Sequence, residues 1–83
     1  MYRIIIEDRA AKEIESLPNE IIQHVIDAIR SLKLNPRPHG VKKLLGEEGW
    51  RIRIRDYRVL YTIDDKQKLV SIYRVKHRRE VYR

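Results

Sequence analysis

The spacing of apolar residues changes at Gly49, and this change restricts the fold more than any other feature of the sequence. Between residues 18 and 34 the apolar residues recur every three or four positions, which is the spacing of one helix face. They are Ile21, Ile22, Val25, Ile26, Ile29 and Leu32. From Trp50 onward, in WRIRIR, apolar and charged residues alternate, as in a strand with one buried face. The chain therefore combines helices before Gly49 with strands after it.

The first half of the chain predicts one strand followed by a helical hairpin. YRIIIE, residues 2 to 7, is short and rich in β-branched residues, which favours a strand. We expect Asp8 to cap a first helix over residues 9–17, on which three apolar residues share a face. These residues are Ala10, Ile14 and Leu17. Pro18 interrupts this helix and begins a second one over residues 18–34, because proline fits the first turn of a helix but not its interior.

Three strands with short connections are predicted for the second half. They cover residues 50–55, 57–64 and 68–75. Only Asp56 separates the first two, so their connection must be a tight hairpin, and residues 65–67 form the next turn. Sequential strands joined in this way form an antiparallel meander.

Together these elements predict a single α+β domain over residues 1–83, in the order β-α-α-β-β-β. The helical hairpin is expected to pack on one face of one sheet, and the N-terminal strand to join that sheet at its edge or beside a later strand. NPRPHG, residues 35 to 40, is a loop by composition, and the segment from there to Gly49 is expected to remain irregular. A chain of 83 residues has room for one modest core, so a functional site must lie on its surface.

The net charge of +7 is concentrated in two short segments. Residues 50–58 contribute +3 and residues 73–83 contribute +4, whereas the other 63 residues carry ten basic and ten acidic side chains. Concentrated arginine is typical of a surface that binds a polyanion, most often nucleic acid. An acidic protein partner is the main alternative.

Arginine side chains are predicted to share the open face of the sheet. If the apolar residues of WRIRIR point toward the helices, Arg51 and Arg53 stand on the opposite face, and Arg58 joins them across the hairpin. Guanidinium groups bind phosphate through paired hydrogen bonds and stabilise negative charge in a transition state. A solvent-facing sheet surface kept soluble by alternating charge is the alternative.

The C-terminal stretch RVKHRREVYR adds groups suited to RNA cleavage. His77 can transfer a proton near neutral pH, and Tyr82 offers a hydroxyl group and a ring that can stack on a base. Cleavage by the neighbouring 2′-hydroxyl needs a base, an acid and positive charge, but no metal. A solvated tail is the alternative for these residues. His24 and His39 are interpreted as a surface histidine and a loop histidine.

Several other classes of protein are excluded by composition. The chain has no cysteine, so a disulfide framework, a thiolate zinc site and a cysteine nucleophile are ruled out. We expect neither a metal nor a cofactor. No apolar run approaches the roughly 18 to 20 residues that span a bilayer, and MYRIIIEDRA lacks the layout of a signal peptide. The expectation is a cytoplasmic protein without membrane contact.

The segments KLLGEEGWRIRIRDYRVLYTID and VKHRREVYR resemble the RelE toxins of the RelE/ParE superfamily. The resemblance covers the whole chain and is strongest in residues 43–63 and 75–83. It implies the toxin of a toxin–antitoxin pair, an endoribonuclease that enters the ribosomal A site and cuts the messenger codon there. The products would be a 2′,3′-cyclic phosphate and a 5′-hydroxyl. The fold implied by the resemblance agrees with the predicted order of elements.

The resemblance also implies roles for individual residues. Arg51, Arg53 and Arg58 match the basic strand residues and the Tyr-Arg pair of the family, and would hold and neutralise the phosphate. His77 and Arg78 match the common His-Arg pair. His77 would be the acid or the base, Arg78 would bind phosphate, and Tyr82 would stack on or orient the substrate. Further RNA contacts are predicted at Lys42, Lys43, Arg55, Lys76 and Arg79. Glycine is frequent in the family at the position of Lys76, so we expect an altered turn leading to His77.

An acidic, RelB-like antitoxin is the expected partner, together with the ribosome and messenger RNA. Its expected mode is an extended or helical segment that wraps the domain and covers the basic face or displaces the tail. The toxin would be monomeric alone and hetero-oligomeric with the antitoxin. Two alternatives remain open from the sequence: a ParE-like toxin that blocks DNA gyrase without acting on RNA, and an RNA-binding module without catalysis.

Overall fold

The structure, a computed structural model, describes residues 1–46 and 48–81. It confirms the predicted order β-α-α-β-β-β and adds one short strand and one short helix. The elements are β1 (Arg3–Ile6), α1 (Asp8–Glu15), α2 (Asn19–Ser31), β2 (Lys42–Lys43), β3 (Trp50–Ile54), β4 (Tyr57–Asp64), β5 (Leu69–His77) and α3 (Arg78–Val81). Within the described ranges, no helix combines the length and the apolar character needed to cross a membrane.

All the strands belong to one sheet in the order β1-β5-β4-β3-β2. β3, β4 and β5 form the predicted antiparallel meander. The turn between β3 and β4 is the expected tight hairpin, because Ile54 pairs with Tyr57 and only Arg55 and Asp56 lie between them. β1 forms one edge of the sheet and runs parallel to β5.

The core lies between the sheet and the two long helices. Its buried residues are Ala10, Ile14, Val25, Ile29 and Leu32 from the helical half, and Ile54, Val59, Tyr61, Val70, Ile72 and Val75 from the sheet. Inside this core the Tyr61 hydroxyl donates a hydrogen bond to the carbonyl of Pro36 at 2.7 Å. Burial raises the pKa of Tyr61 to about 12. The loop after α2 is therefore fastened to the middle of the sheet.

The helix boundaries differ from the predicted ones. Asp8 is the first residue of α1 and not its N-cap, which is Glu7, and Glu7 makes no capping side-chain hydrogen bond. In the first turn the Asp8 carboxylate still lies at the positive end of the helix dipole. Pro18 occupies the N-cap of α2, and the chain after Ser31 forms a turn. Both helices are consequently shorter than the sequence pattern suggests.

Two short elements lie where the sequence predicts none. Lys42 and Lys43 form β2, which pairs with the start of β3 in the segment expected to be irregular. Two residues are too few to display an alternating pattern, so this strand depends on its neighbour. β5 continues to His77, and the tail then turns into α3. The tail is thereby attached directly to the central meander.

Helix α1 covers the part of β5 that extends beyond β1. The Glu13 carboxylate accepts a hydrogen bond from the Val75 N–H at 2.7 Å. It also accepts hydrogen bonds from Nε and Nη2 of Arg74 at 3.0 and 2.9 Å. Burial alone would raise the pKa of Glu13, but the hydrogen bonds from Arg74 and Val75 outweigh it and lower the pKa below its ordinary value. These bonds fix the end of β5 from which the tail departs.

Candidate nucleic-acid interface

The sheet face opposite the helices carries three cations in one row. Arg58 on β4 lies directly opposite Arg53 on β3 and Lys76 on β5. Directly paired residues point to the same face, and Arg51 joins them because it lies two residues before Arg53. We call Arg51, Arg53, Arg58 and Lys76 the cationic face. Like charges in directly opposite positions destabilise a sheet, so the row favours a role in binding an anion over a role in stabilising the fold.

Arg58 is the most enclosed residue of the cationic face, with 4% of its surface exposed. Its Nη1 donates a hydrogen bond to the Tyr57 carbonyl at 3.3 Å. Nε of Arg53 donates to the carbonyl of Arg55 at 3.2 Å. A guanidinium held in place and shielded from water interacts with an anion more strongly than a freely moving surface cation does. Arg58 is therefore enclosed and oriented before any ligand binds, whereas Arg53 is oriented by its bond to Arg55 but remains exposed.

A pocket of about 240 Å³ opens on the cationic face. Arg51, Arg53 and Arg58 form one side, and Gly40 and Lys42 contribute from the loop and from β2. Gly40 has a φ of +90°, and a Cβ atom there would meet nothing within 4 Å. The loop thus adopts a backbone conformation that favours glycine and adds no side chain to the pocket. Cationic side chains provide the polar lining, which suits a phosphate group.

A second, more open pocket of about 520 Å³ is lined by Arg53, Arg58, Arg78 and Arg79. It shares Arg53 and Arg58 with the first pocket, so the two are adjacent. The tail is held beside the hairpin turn because the Arg78 N–H donates to the Asp56 carbonyl at 2.7 Å. The Arg78 guanidinium also lies 3.9 Å from the Asp56 carboxylate. Two predicted site residues from the tail are thus brought to the arginines of the hairpin.

His77 lies apart from both pockets. It pairs with Tyr57, one position beyond Lys76, so the alternation of β5 turns it toward the side of the core. Its ring packs edge-on against Tyr57 with 5.3 Å between the centroids. Its Nδ1 accepts a hydrogen bond from the Arg79 N–H at 3.3 Å, which places the proton of the neutral ring on Nε2. Its catalytic role stays a prediction, and Tyr82 lies outside the described residues.

Two of the predicted RNA contacts also lie away from the pockets. The ammonium group of Lys43 sits 5.7 Å from the centre of the Trp50 ring. The Arg55 guanidinium contacts the His24 ring, with 3.2 Å between Nη2 and Nε2. Since a guanidinium only donates, His24 must be the acceptor. Lys42, Lys76 and Arg79, by contrast, belong to the cationic face or line a pocket.

The structure adds two residues that the sequence does not mark as part of the site. Gly40 lines the first pocket. In the sequence it is recognisable only as a glycine within a loop. Leu60 is 6% exposed yet does not belong to the core beneath the helices. It pairs with Arg51 and Arg74, so it is buried on the cationic face. In the sequence, this position is marked only by two consecutive apolar residues, Val59 and Leu60, which interrupt the alternation of polar and apolar residues in the strand. In residues 1–46 and 48–81 no group of three or more histidine or acidic residues could hold a metal ion.

Comparison with known proteins assigns the chain to a family. Residues 4–82 match the family described as the ParE toxin of the type II toxin–antitoxin system parDE. The toxin RelE of Mycobacterium tuberculosis is 34% identical over 85 residues, covering 99% of this chain and 87% of that toxin. The toxin RelG of the same organism is 33% identical over 85 residues, covering 99% and 97%.

Solved structures agree with this assignment. The archaeal RelE–RelB complex from Pyrococcus horikoshii OT3 superposes with a TM-score of 0.84 at 31% identity, covering 93% of this chain and 94% of that one. The chain therefore belongs to the toxins of type II toxin–antitoxin systems, within the RelE/ParE superfamily. Within that superfamily it is a RelE-type toxin, which confirms the resemblance found in the sequence.

Proposed function

We propose that this toxin is an endoribonuclease that cuts messenger RNA in the ribosomal A site and so inhibits translation. The observation that carries the proposal is the cationic face itself. Arg58 is almost fully buried there, on the strand between those of Arg53 and Lys76, and it lines two adjacent pockets to which other cations also contribute. Such a surface suits the phosphates of a single RNA strand. The relatives named RelE support the toxin activity at the level of the family.

In the proposed reaction the 2′-oxygen of a ribose attacks the adjacent phosphorus. A bond forms between these two atoms, and the bond from phosphorus to the 5′-oxygen of the next nucleotide breaks. Negative charge grows on the phosphate oxygens, and Arg51, Arg53 and Arg58 stabilise it. One proton leaves the 2′-hydroxyl and one reaches the 5′-oxygen. The products are a 2′,3′-cyclic phosphate and a 5′-hydroxyl.

His77 is proposed to carry one of these protons, as acid or as base. That role requires a distance of about 3 Å from the reacting oxygen when RNA is bound. Arg78 and Arg79 then bind the flanking phosphate, since both line the second pocket beside Arg53 and Arg58. Tyr82 is proposed to stack on a base.

A RelB-like antitoxin is proposed as the partner that neutralises the toxin. The similar structures from Pyrococcus horikoshii and Mycobacterium tuberculosis are of toxin–antitoxin complexes. The net charge of +7 favours an acidic partner. The toxin is proposed to act in the cytoplasm, where messenger RNA is translated.

Inhibition of DNA gyrase is a second candidate function. The family that matches this chain carries the description of a ParE toxin. In addition, His77 lines neither pocket on the cationic face. A toxin without proton transfer would bind its target through the same arginines without cutting RNA.

Primer extension on a translated messenger separates these functions. Purified toxin is added to a reconstituted translation system with and without ribosomes. Cuts within the A-site codon that require ribosomes are expected. Arg53→Ala should reduce the rate by about 100-fold, as loss of one oriented donor does, and His77→Ala should abolish the cuts while binding persists. Arg9→Ala, an exposed arginine on α1, is the control and should cleave normally. Intact messenger under all conditions would refute the nuclease and make a gyrase supercoiling assay decisive.

A further inference from the structure

The loop that leads into the first pocket begins and ends on one tryptophan ring. Cζ of Arg37 lies 5.2 Å from the centre of the Trp50 ring, and Nζ of Lys43 lies 5.7 Å from the same centre. A cation within about 6 Å of the centre of an aromatic ring is attracted to its face. Residues 38–42 therefore form a loop that is closed at this ring.

This loop supplies two residues to the first pocket but has little regular structure to hold it. Gly40 and Lys42 line the pocket, and β2 consists of Lys42 and Lys43 alone. Lys42 lies directly opposite Arg51, and like charges in opposite positions repel each other. Gly40 adds no stiffness, because a glycine backbone has few conformational limits. The position of the loop must therefore depend on contacts outside the pocket.

Arg37 provides such a contact at the turn between β4 and β5. Its Nη2 and Nη1 donate hydrogen bonds to the two oxygens of the Asp65 carboxylate at 2.9 and 3.3 Å. The Tyr2 hydroxyl donates to the same carboxylate. The hydrogen bonds from Arg37, and secondarily from Tyr2, lower the pKa of Asp65 below its ordinary value. A planar guanidinium bound through two hydrogen bonds is fixed in orientation as well as in distance.

We propose that Arg37 is a positioning residue for the phosphate site on the cationic face. Its ion pair with Asp65 and its contact with Trp50 hold residues 38–42 in place. The loop is thereby kept at the first pocket, although its cation is repelled by those of the cationic face. Arg37 itself lines neither pocket. The inference rests on the proposed binding of RNA by this face and adds a residue that acts on it from outside the pockets.

Direct contact between Arg37 and RNA is the competing explanation. The Arg37 side chain is 40% exposed, and its positive charge would suit a phosphate. The two explanations predict opposite effects of a substitution at Asp65. If Arg37 bound RNA directly, removal of the neighbouring carboxylate would free the guanidinium and raise the affinity for a polyanion. If Arg37 positions the loop, the same substitution releases the loop and lowers the affinity.

The first test measures RNA affinity by fluorescence anisotropy. The probe is a labelled single-stranded RNA with 2′-O-methyl riboses, which the toxin cannot cut because the attacking hydroxyl is blocked. Asp65→Ala should bind it about threefold to fivefold more weakly, which is the effect that one exposed ion pair can have, although the variant is more positively charged. Arg37→Ala should weaken binding at least as much, and the double variant should bind like Arg37→Ala, because both changes break one contact. Unchanged or tighter binding by Asp65→Ala would overturn the proposal.

Two further variants control for charge and for the ion pair. Glu15→Ala removes an exposed carboxylate from α1 and should bind the RNA as the wild type does. Asp65→Glu keeps a carboxylate that can reach Arg37, so it should lose less than about twofold in affinity. A loss in Asp65→Glu as large as that in Asp65→Ala would contradict the role of the ion pair.

The second test follows Trp50 and needs no RNA. Trp50 is the only tryptophan of the chain, so quenching of its fluorescence by acrylamide, a neutral molecule, measures the exposure of this one ring. Quenching should increase in Asp65→Ala, because Arg37 moves away from the ring, and should keep the wild-type value in Glu15→Ala. Equal quenching in Asp65→Ala and the wild type would overturn the proposal.

Failure of the proposed function gives a different result. If the wild type binds the RNA but cuts no messenger, only the nuclease is wrong, and the comparison of variants still decides the role of Arg37. If the wild type binds no RNA, RNA is the wrong ligand, and inorganic phosphate replaces it as the probe. The Gly40 amide signal is then followed by NMR during the titration. A smaller shift in Asp65→Ala than in the wild type supports the positioning role, and equal shifts overturn it.

Discussion

Replacing Glu13 tests how α1 holds the end of β5. In Glu13→Ala the Val75 N–H loses its 2.7 Å hydrogen bond, which costs about 1–3 kcal/mol if the group stays buried. The Arg74 guanidinium loses its ion pair, and its side chain is only 18% exposed. Water can reach part of it, so this loss adds only about 1 kcal/mol. We expect a total of about 2–4 kcal/mol, against an overall stability of about 5–15 kcal/mol for a domain.

Two companion variants identify the cause. Glu13→Gln keeps an oxygen that can accept from the Val75 N–H but removes the charge, so about half of the loss is expected. Glu15→Ala removes an exposed carboxylate from the same helix and should cost less than about 0.5 kcal/mol. Urea unfolding at neutral pH, followed by far-UV circular dichroism, measures all three. A Glu13→Ala variant no less stable than Glu15→Ala would refute this account of the β5 edge.

The same contact predicts a dependence on pH. The folded state lowers the pKa of Glu13 below its ordinary value of 4.5. The stabilisation of the folded state by ionised Glu13 is therefore complete above pH 4.5. It is lost as the pH falls through the lowered pKa of Glu13 in the folded state. The difference in unfolding free energy between wild type and Glu13→Gln should shrink in that acidic range. A difference that grows on acidification would contradict the assigned sign.

Three further predictions concern the backbone and the core. In thermal unfolding, Gly49→Ala should lower the free energy of unfolding by about 1 kcal/mol or more beyond the effect of Gly40→Ala. Both glycines have a positive φ, but only a Cβ atom at position 49 would meet a tyrosine hydroxyl at 3.1 Å. Arg55→Gly should raise the melting temperature, because a residue with a side chain pays about 1 kcal/mol for the left-handed φ of 57° that Arg55 adopts. A lower melting temperature would show that the contact of Arg55 with His24 on α2 outweighs this cost. Tyr61→Phe should cost about 1 kcal/mol through the lost bond to Pro36. Because the folded state raises the pKa of Tyr61 from 10.0 to about 12, the wild type should lose stability as the pH rises from 10 to 12, and Tyr61→Phe should not show this loss in urea unfolding.

The sequence by itself determined the parts of the fold that depend on short-range pattern. The alternation in WRIRIR and YRVLYTID set the β3–β4 hairpin and placed Arg51, Arg53 and Arg58 on one face, because the side-chain period of a strand is two. The helical spacing after Pro18 likewise set α2 and its buried face. These features follow from geometry within a few residues.

Only the tertiary structure decided the features that join distant segments. β1 pairs in parallel with β5, and the Glu13 carboxylate of α1 accepts a hydrogen bond from Val75 of β5. Both contacts join residues about sixty positions apart, so no local pattern encodes them. β2 forms a strand only because its two residues pair with the start of β3. The alternation of β5 sends Lys76 to the cationic face and His77 to the other side, although the tail reads as one continuous basic motif. Pairing of distant strands is selected by packing of the whole chain. Residue spacing therefore grouped Arg51, Arg53 and Arg58 but could not show that Gly40 and Lys42 complete one pocket and Arg78 and Arg79 the other.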